Sequence, residues 1–277
     1  MNQPLYIPVQ AHSPYMSISG RYCEWKPSHK LRKYIYCYWV SPFTNHPKPE
    51  CQLTDNIEMI VPDGCIDMVF RIDRTLPDIQ NLVVGTTDRA IFVDMEYDRI
   101  DTFGIRFYPG GLQPFIKEPS YLFTNQIINF EDVIKGFSSE LKEQLYLSPS
   151  FNNTVYSINK YLLSKLSNDL GWEDTFQNAL MHIYQANGNL SVKEIARKEV
   201  ISEKQLTRIF YERAGVGTKT FLRIMRLQQL LTILHGREKT TLTDAAIQSG
   251  YYDQAHCIRE FQDFCGILPS DYIKFRN

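Results

Sequence analysis

The chain has 277 residues, of which 43% are hydrophobic and 22% charged, and a net charge of −1. That composition excludes wholesale disorder, and the charge excludes a protein that coats nucleic acid indiscriminately. The length is ample for two cores.

No apolar run approaches the roughly 20 residues needed to span a bilayer. Met1 to Gln10 lacks a basic segment followed by an apolar one, so neither membrane insertion nor export is expected. The six cysteines (Cys23, Cys37, Cys51, Cys65, Cys257, Cys265) fall at long spacings without a C-x-x-C pair. Free thiols in a reducing cytoplasm are therefore expected rather than a disulfide framework.

From Leu5 to about Phe130 the chain is rich in Tyr, Phe, Val and Ile in short runs, broken by Ser41-Pro42, Pro47-Lys48-Pro49, Pro62-Asp63-Gly64 and Pro109-Gly110-Gly111. This texture predicts a small β-rich barrel or sandwich. Its strands are expected over Ile57–Val61, Ile66–Ile72, Leu82–Val84, Ala90–Met95 and Thr102–Phe107. After Asn129 the texture turns helical. Two helices are expected around the break at Ser148-Pro149-Ser150, packing on the barrel or on a second subunit. Asn168-Asp169-Leu170-Gly171 is the expected linker, dividing a front domain (1–168) from a tail (172–277). The fold class is thus α+β with two domains, a β-rich front with flanking helices and an all-α tail.

Charge is divided with a small asymmetry. From Trp172 onward there are 14 Lys and Arg against 12 Asp and Glu, leaving 16 against 19 in the front. That sign suits a tail that meets a polyanion.

The tail holds a near-repeat. The first copy runs Leu190-Ser191-Val192-Lys193-Glu194-Ile195-Ala196, a turn, then Ser202 to Phe210. The second runs Leu242-Thr243-Asp244-Ala245-Ala246, a turn through Gly250, then Asp253 to Phe261. Ser191 and Thr243 are expected N-caps of the first helix of each copy, and Ser202 and Asp253 of the second. Ala196 and Ala246 are small where two steeply crossing helices must approach, as a helix-turn-helix requires.

Leu206, Ile209 and Phe210 form an apolar stripe that leaves Glu203, Lys204, Thr207 and Arg208 outward. An outward set of Lys, Gln and Arg suits the major groove, where Arg or Lys reads guanine and Gln reads adenine. In the second copy Gln254, His256 and Arg259 take comparable places. Between the copies, apolar residues at 221, 224, 227, 230, 231 and 234 predict one long amphipathic helix, a spacer able to set two reading helices about one DNA turn, 34 Å, apart.

These landmarks, with Tyr211 to Gly215, Arg226-Leu227, Gly250-Tyr251 and Phe264 to Tyr272, resemble the DNA-binding domain of the AraC/XylS family of bacterial transcription activators over about Thr175 to Phe275. The resemblance implies double-stranded DNA as partner, contact with RNA polymerase, and a homodimer as one possible assembly. DNA-binding residues are expected at Lys204, Gln205, Thr207, Arg208, Gln254, His256 and Arg259. Three positions depart from the pattern: Cys257 where Phe is usual, Glu260 where an apolar residue is usual, and Val200 in place of the turn glycine. The first two shrink the apolar face of the second reading helix and predict a second unit less well packed than the first, while Val200 lies in the turn of the first unit.

In the front, Val61 to Phe70 and Gly104 to Gly111, with Tyr34 to Trp39 and Val84-Gly85, resemble an uncharacterised domain common ahead of AraC-type tails, in the place where cupin-like effector domains also occur. Asp67 and Arg106 are charges within apolar strands. They are expected either to pair or, with Cys65, to line a small-molecule effector site. No cofactor, metal site or catalytic residue is expected, because the spaced cysteines and histidines lack the close pairs of a zinc site. Two alternatives stand beside an effector-responsive regulator. One is an alkylation-response protein with an alkyl-accepting cysteine; the other is a front domain that only dimerises or recruits a partner.

Overall fold

The computed structural model describes residues 6–11, 23–41, 57–73, 79–94, 100–116, 118–129, 151–166, 174–236 and 240–276. The expected helix over Phe130 to Leu147 and the expected linker lie outside them.

The front domain is built on an antiparallel six-stranded sheet in the order β1-β2-β7-β4-β5-β8. Its strands are β1 (Cys23–Trp25), β2 (Ile35–Ser41), β4 (Ile66–Asp73), β5 (Ile79–Val84), β7 (Ile100–Phe107) and β8 (Ile127–Asn129). A separate pair joins β3 (Ile57–Ile60) to β6 (Ile91–Asp94). All five strands expected from the sequence are present, and β1, β2 and β8 complete the sheet.

Alternation along the strands divides the sheet into two faces. Tyr38, Met68, Phe70, Phe103, Ile105 and Phe107 pack with Ile158, Tyr161 and Leu162 of helix α1 (Phe151–Lys165). That helix therefore packs on the sheet. The opposite face carries Cys37, Trp39 and Val69 and, directly opposite each other across β4 and β7, Asp67 and Arg106.

The tail is all helical: α2 (Asp174–Gln185), α3 (Val192–Lys198), α4 (Glu203–Ala214), α5 (Thr218–Leu234), α6 (Leu242–Gln248), α7 (Gln254–Cys265) and α8 (Pro269–Arg276). The 17-residue α5 is about 26 Å long. It buries Phe221, Leu222, Ile224, Met225, Leu227, Leu230 and Leu231, and burying each large side chain contributes roughly 1.5–3 kcal/mol. Helix α4 of the first unit and α6 of the second both pack on this spacer.

The two domains share a core. Ala11, Met59 and Val61 of the front belong to the same buried cluster as Phe176, Phe210 and Phe221 of the tail. The turn at Pro62-Asp63-Gly64 is the hub of this junction. Tyr6 stacks on Tyr184 with ring centroids 4.9 Å apart and donates its hydroxyl to the Asp63 carbonyl at 2.6 Å. Gln228, buried in the apolar stripe of α5, accepts from the Val9 N–H at 2.7 Å and donates to the Pro62 carbonyl at 2.8 Å. A β-carbon on Gly64 would stand 2.8 Å from the Phe221 ring, and Gly64 has a φ of +75°.

Candidate nucleic-acid interface

Each half of the tail repeat folds as a first helix, a left-handed turn and a 12-residue second helix. Helices α4 and α7 both end on a left-handed glycine, Gly215 and Gly266. Hydroxyl and carboxylate caps fix where they start. The Ser202 hydroxyl accepts from the Gln205 N–H at 3.1 Å, and the Asp253 carboxylate accepts from the His256 N–H at 2.6 Å. Ser191 and Glu194 form a full capping box on α3, and Ser191 holds the Glu194 carboxyl below the usual carboxylate range.

The second unit corrects one expectation. Its first helix is capped by Thr241, whose hydroxyl accepts from the Asp244 N–H at 3.1 Å. Thr243 lies inside the helix and donates to the Gln254 side chain at 2.7 Å.

On α4, Leu206, Ile209 and Phe210 are buried while Lys204, Gln205 and Arg208 are exposed and Thr207 is half-buried. Tyr211, 49% exposed, extends this face by one further turn. On α7, Gln254 and Arg259 are exposed. His256 turns inward: its ring meets Tyr251 edge-on at 5.5 Å, and its Nδ1 accepts from the Tyr252 N–H at 3.4 Å. The five exposed sites carry donor groups on two short, capped helices, the chemistry that reads base edges and binds phosphates.

Glu260 is buried with its charge paired through one carboxylate oxygen, Oε1. It accepts from Arg223 at 2.6 Å and Arg226 at 3.5 Å, both on α5. An ion network therefore ties α7 to the spacer where the sequence pattern leads one to expect apolar packing. Cys257 is fully buried beside Phe261 in the same core.

Sequence reasoning missed Tyr252. The first helices of the two units start 50 residues apart and the second helices 51 apart, so the second turn holds one more residue. Ile201 and Tyr251 make the equivalent bonds to the Ala196 and Ala246 carbonyls, which makes Tyr252 the added residue. It is 87% exposed, immediately before the α7 cap. The spacing of the two N-caps, Ser202 and Asp253, against the alanines was the available signal.

In the front domain, Arg106 grips Asp67 through both carboxylate oxygens, with Nε at 3.0 and 3.1 Å and a terminal nitrogen at 2.8 Å. Both residues are buried. Asp63 lies 4.0 Å from the same guanidinium. A cleft of about 210 Å³ opens between Tyr6, Lys33 and Tyr108 of the front and Leu180, Met181 and Tyr184 of α2. Asp67, Arg106 and Cys65 are not among its lining residues. Burial pushes the Cys37 and Cys65 thiols well above the usual thiol range, which leaves them poor nucleophiles. Cys51 lies outside the described residues.

Capped helix pairs crossing over buried alanines, with polar outer faces on the second helices, define a DNA-binding helix-turn-helix protein built from two units and joined to a β-rich domain. Comparison with known proteins agrees. Residues 187–274 match the family model described as "Helix-turn-helix domain", and residues 23–129 match "Domain of unknown function (DUF6597)". The chain carries an AraC-type helix-turn-helix domain behind a domain of the DUF6597 family.

An "Uncharacterized HTH-type transcriptional regulator" of Haemophilus influenzae is 26% identical over 92 residues, 33% of this chain and 30% of that protein. The match thus spans under a third of the relative. Among solved structures, ToxT from Vibrio cholerae O395 is 14% identical over 76% of this chain and 88% of that one, with a TM-score of 0.39. ToxT bound to (E)-4-(8-methylnaphthalen-1-yl)but-3-enoic acid is 11% identical over 77% and 90%, with a TM-score of 0.43.

Proposed function

We propose that this protein is a sequence-specific, DNA-binding transcription regulator that acts in the cytoplasm without catalysing a reaction. The observation that carries the reading is the exposure of Lys204, Gln205 and Arg208 on α4, and of Gln254 and Arg259 on α7, from two capped helices hung on one spacer. Thr207 and His256 support these faces from half-buried positions. Activation through RNA polymerase, and a homodimer as the working assembly, rest on the AraC-type resemblance of the tail.

The effector, in this reading, is a small molecule that enters the cleft between Tyr108 and Tyr184, where it meets both domains at once. The Asp67–Arg106 pair beneath is a structural element. The division at 1–168 and 172–277 assigns sensing to the first part and DNA reading to the second.

Selection from a pool of random duplexes at physiological salt tests the reading. The full chain is expected to enrich a defined motif. Retention that is uniform across sequences and vanishes with added salt would overturn sequence-specific recognition.

A further inference from the structure

Both reading helices are held by the front domain at the same backbone atom. Counting from its first residue, Arg213 holds the place in α4 that Phe264 holds in α7. The Arg213 carbonyl accepts from the Ser120 hydroxyl at 2.8 Å, and the Phe264 carbonyl accepts from the Ala90 N–H. The Gly215 carbonyl, two residues beyond Arg213, accepts from the Thr124 hydroxyl at 2.6 Å. These are carbonyls at helix C-termini, which have no partner within their own helix and must find one outside.

The two grips belong to one ledge. The loop at 85–90 and the loop at 120–126 are tied together by three hydrogen bonds: the Gly85 N–H to the Gln126 carbonyl at 3.1 Å, the Asn125 N–H to the Thr86 carbonyl at 3.0 Å, and the Asp88 N–H to the Asn125 side chain at 3.0 Å. Asn125 itself has a φ of 58°, a left-handed conformation that Asn tolerates better than most residues. The contact is close: a β-carbon on Gly215 would stand 2.8 Å from the Thr124 hydroxyl. The grip leaves the reading faces open, since Lys204, Gln205, Arg208 and Arg259 are all exposed.

We propose that this ledge, formed by Gly85–Ala90 and Ser120–Gln126, is a caliper that fixes the separation of the two reading helices and so sets the spacing between the two parts of the DNA site. The inference rests on the proposed DNA-reading function. Within the tail, α5 packs on α4 and α6 and the Asn189 side chain meets Gly250 directly, while the ledge adds a further brace between the units from outside the tail. A rigid, correctly spaced pair of reading elements makes the second contact effectively intramolecular, whereas a loosened pair loses affinity and tolerates other spacings. Ser120, Thr124 and Asn125 are thus positioning residues that touch no base.

The test uses the full chain. A two-part motif is selected from random duplexes with the wild-type protein. Affinities are then measured for that duplex, for versions with one and two base pairs inserted between the parts, and for a duplex holding one part only. The Ser120→Ala/Thr124→Val variant removes two hydrogen bonds at one grip, and Asn125→Ala loosens the ledge itself. Both variants are expected to bind the selected duplex about tenfold more weakly and to lose most of the wild-type penalty for insertions, with single-part binding unchanged. A wild-type spacing profile in both variants would overturn the caliper alone. So would equal losses on one-part and two-part duplexes, which mark a merely structural role. A wild-type protein that selects no motif overturns the DNA-reading function, and the caliper falls with it.

Discussion

Val200 and Gly250 occupy the same place in the two helix-turn-helix turns and the same left-handed backbone, with φ of 56° and 84°. In each, the residue itself bonds three back, Val200 to Arg197 and Gly250 to Ile247, and the next N–H reaches the alanine carbonyl. Their surroundings differ. Val200 is 90% exposed, whereas a β-carbon on Gly250 would overlap the Asn189 side chain at 1.6 Å.

A left-handed conformation costs an L residue roughly 1–2 kcal/mol, and glycine returns part of this through its greater freedom in the unfolded chain. Val200→Gly loses no packing. It is expected to stabilise the protein by about 1 kcal/mol, read as a higher denaturant midpoint at unchanged slope. Gly250→Val is expected to destabilise by about 3 kcal/mol or more, since strain and overlap add.

Arg106→Met would leave the Asp67 carboxylate buried without its bidentate partner. Breaking such a pair costs about 3–5 kcal/mol, whereas replacing both members by apolar groups costs much less. Chemical denaturation is expected to show Arg106→Met/Asp67→Leu more stable than Arg106→Met alone. A double variant as unstable as the sum of the two single changes would argue against a paired, structural role.

Burial raises the Asp63 carboxyl above the usual carboxylate range. The Arg106 guanidinium opposes the shift and Asp67 adds to it, while hydrogen bonds from the Cys65 N–H and Gln10 again lower it. A carboxyl raised in the folded state contributes stability that is fully present below its unfolded pKa and is lost as pH rises through its folded pKa. The stability of wild type relative to Asp63→Asn is therefore expected to decline with rising pH in a window just above the ordinary carboxylate range. A difference that stays flat, or grows, across that window would contradict the burial of an ionisable group at this junction.

Much of the architecture is legible in the sequence because it is written locally. Short β-branched and aromatic runs between Pro and Gly mark β3 to β7, and hydroxyls before apolar runs mark α3 and α4. Thr241 was legible too: the Ser191-x-x-Glu194 pattern recurs as Thr241-x-x-Asp244, but the nearby Thr243 drew the cap two residues too far. The junction was not legible. Gln228 reads as a polar interruption of an apolar stripe until Val9 and Pro62 stand beside it. Glu260 reads as a packing defect until Arg223 and Arg226 reach it from another helix. Contacts between Ser120 and Arg213, or Ala90 and Phe264, leave no periodic trace in the chain.

Arg208 is the most direct probe of DNA reading, being exposed on the better-defined reading face of α4. The measurement is the affinity of wild type, Arg208→Ala and Arg259→Ala for the selected duplex and for a random duplex of equal length at one salt concentration. Arg208→Ala is expected to lose about 1–3 kcal/mol on the selected duplex, more than Arg259→Ala, and much less on the random one. Equal losses on both duplexes would contradict base reading by Arg208.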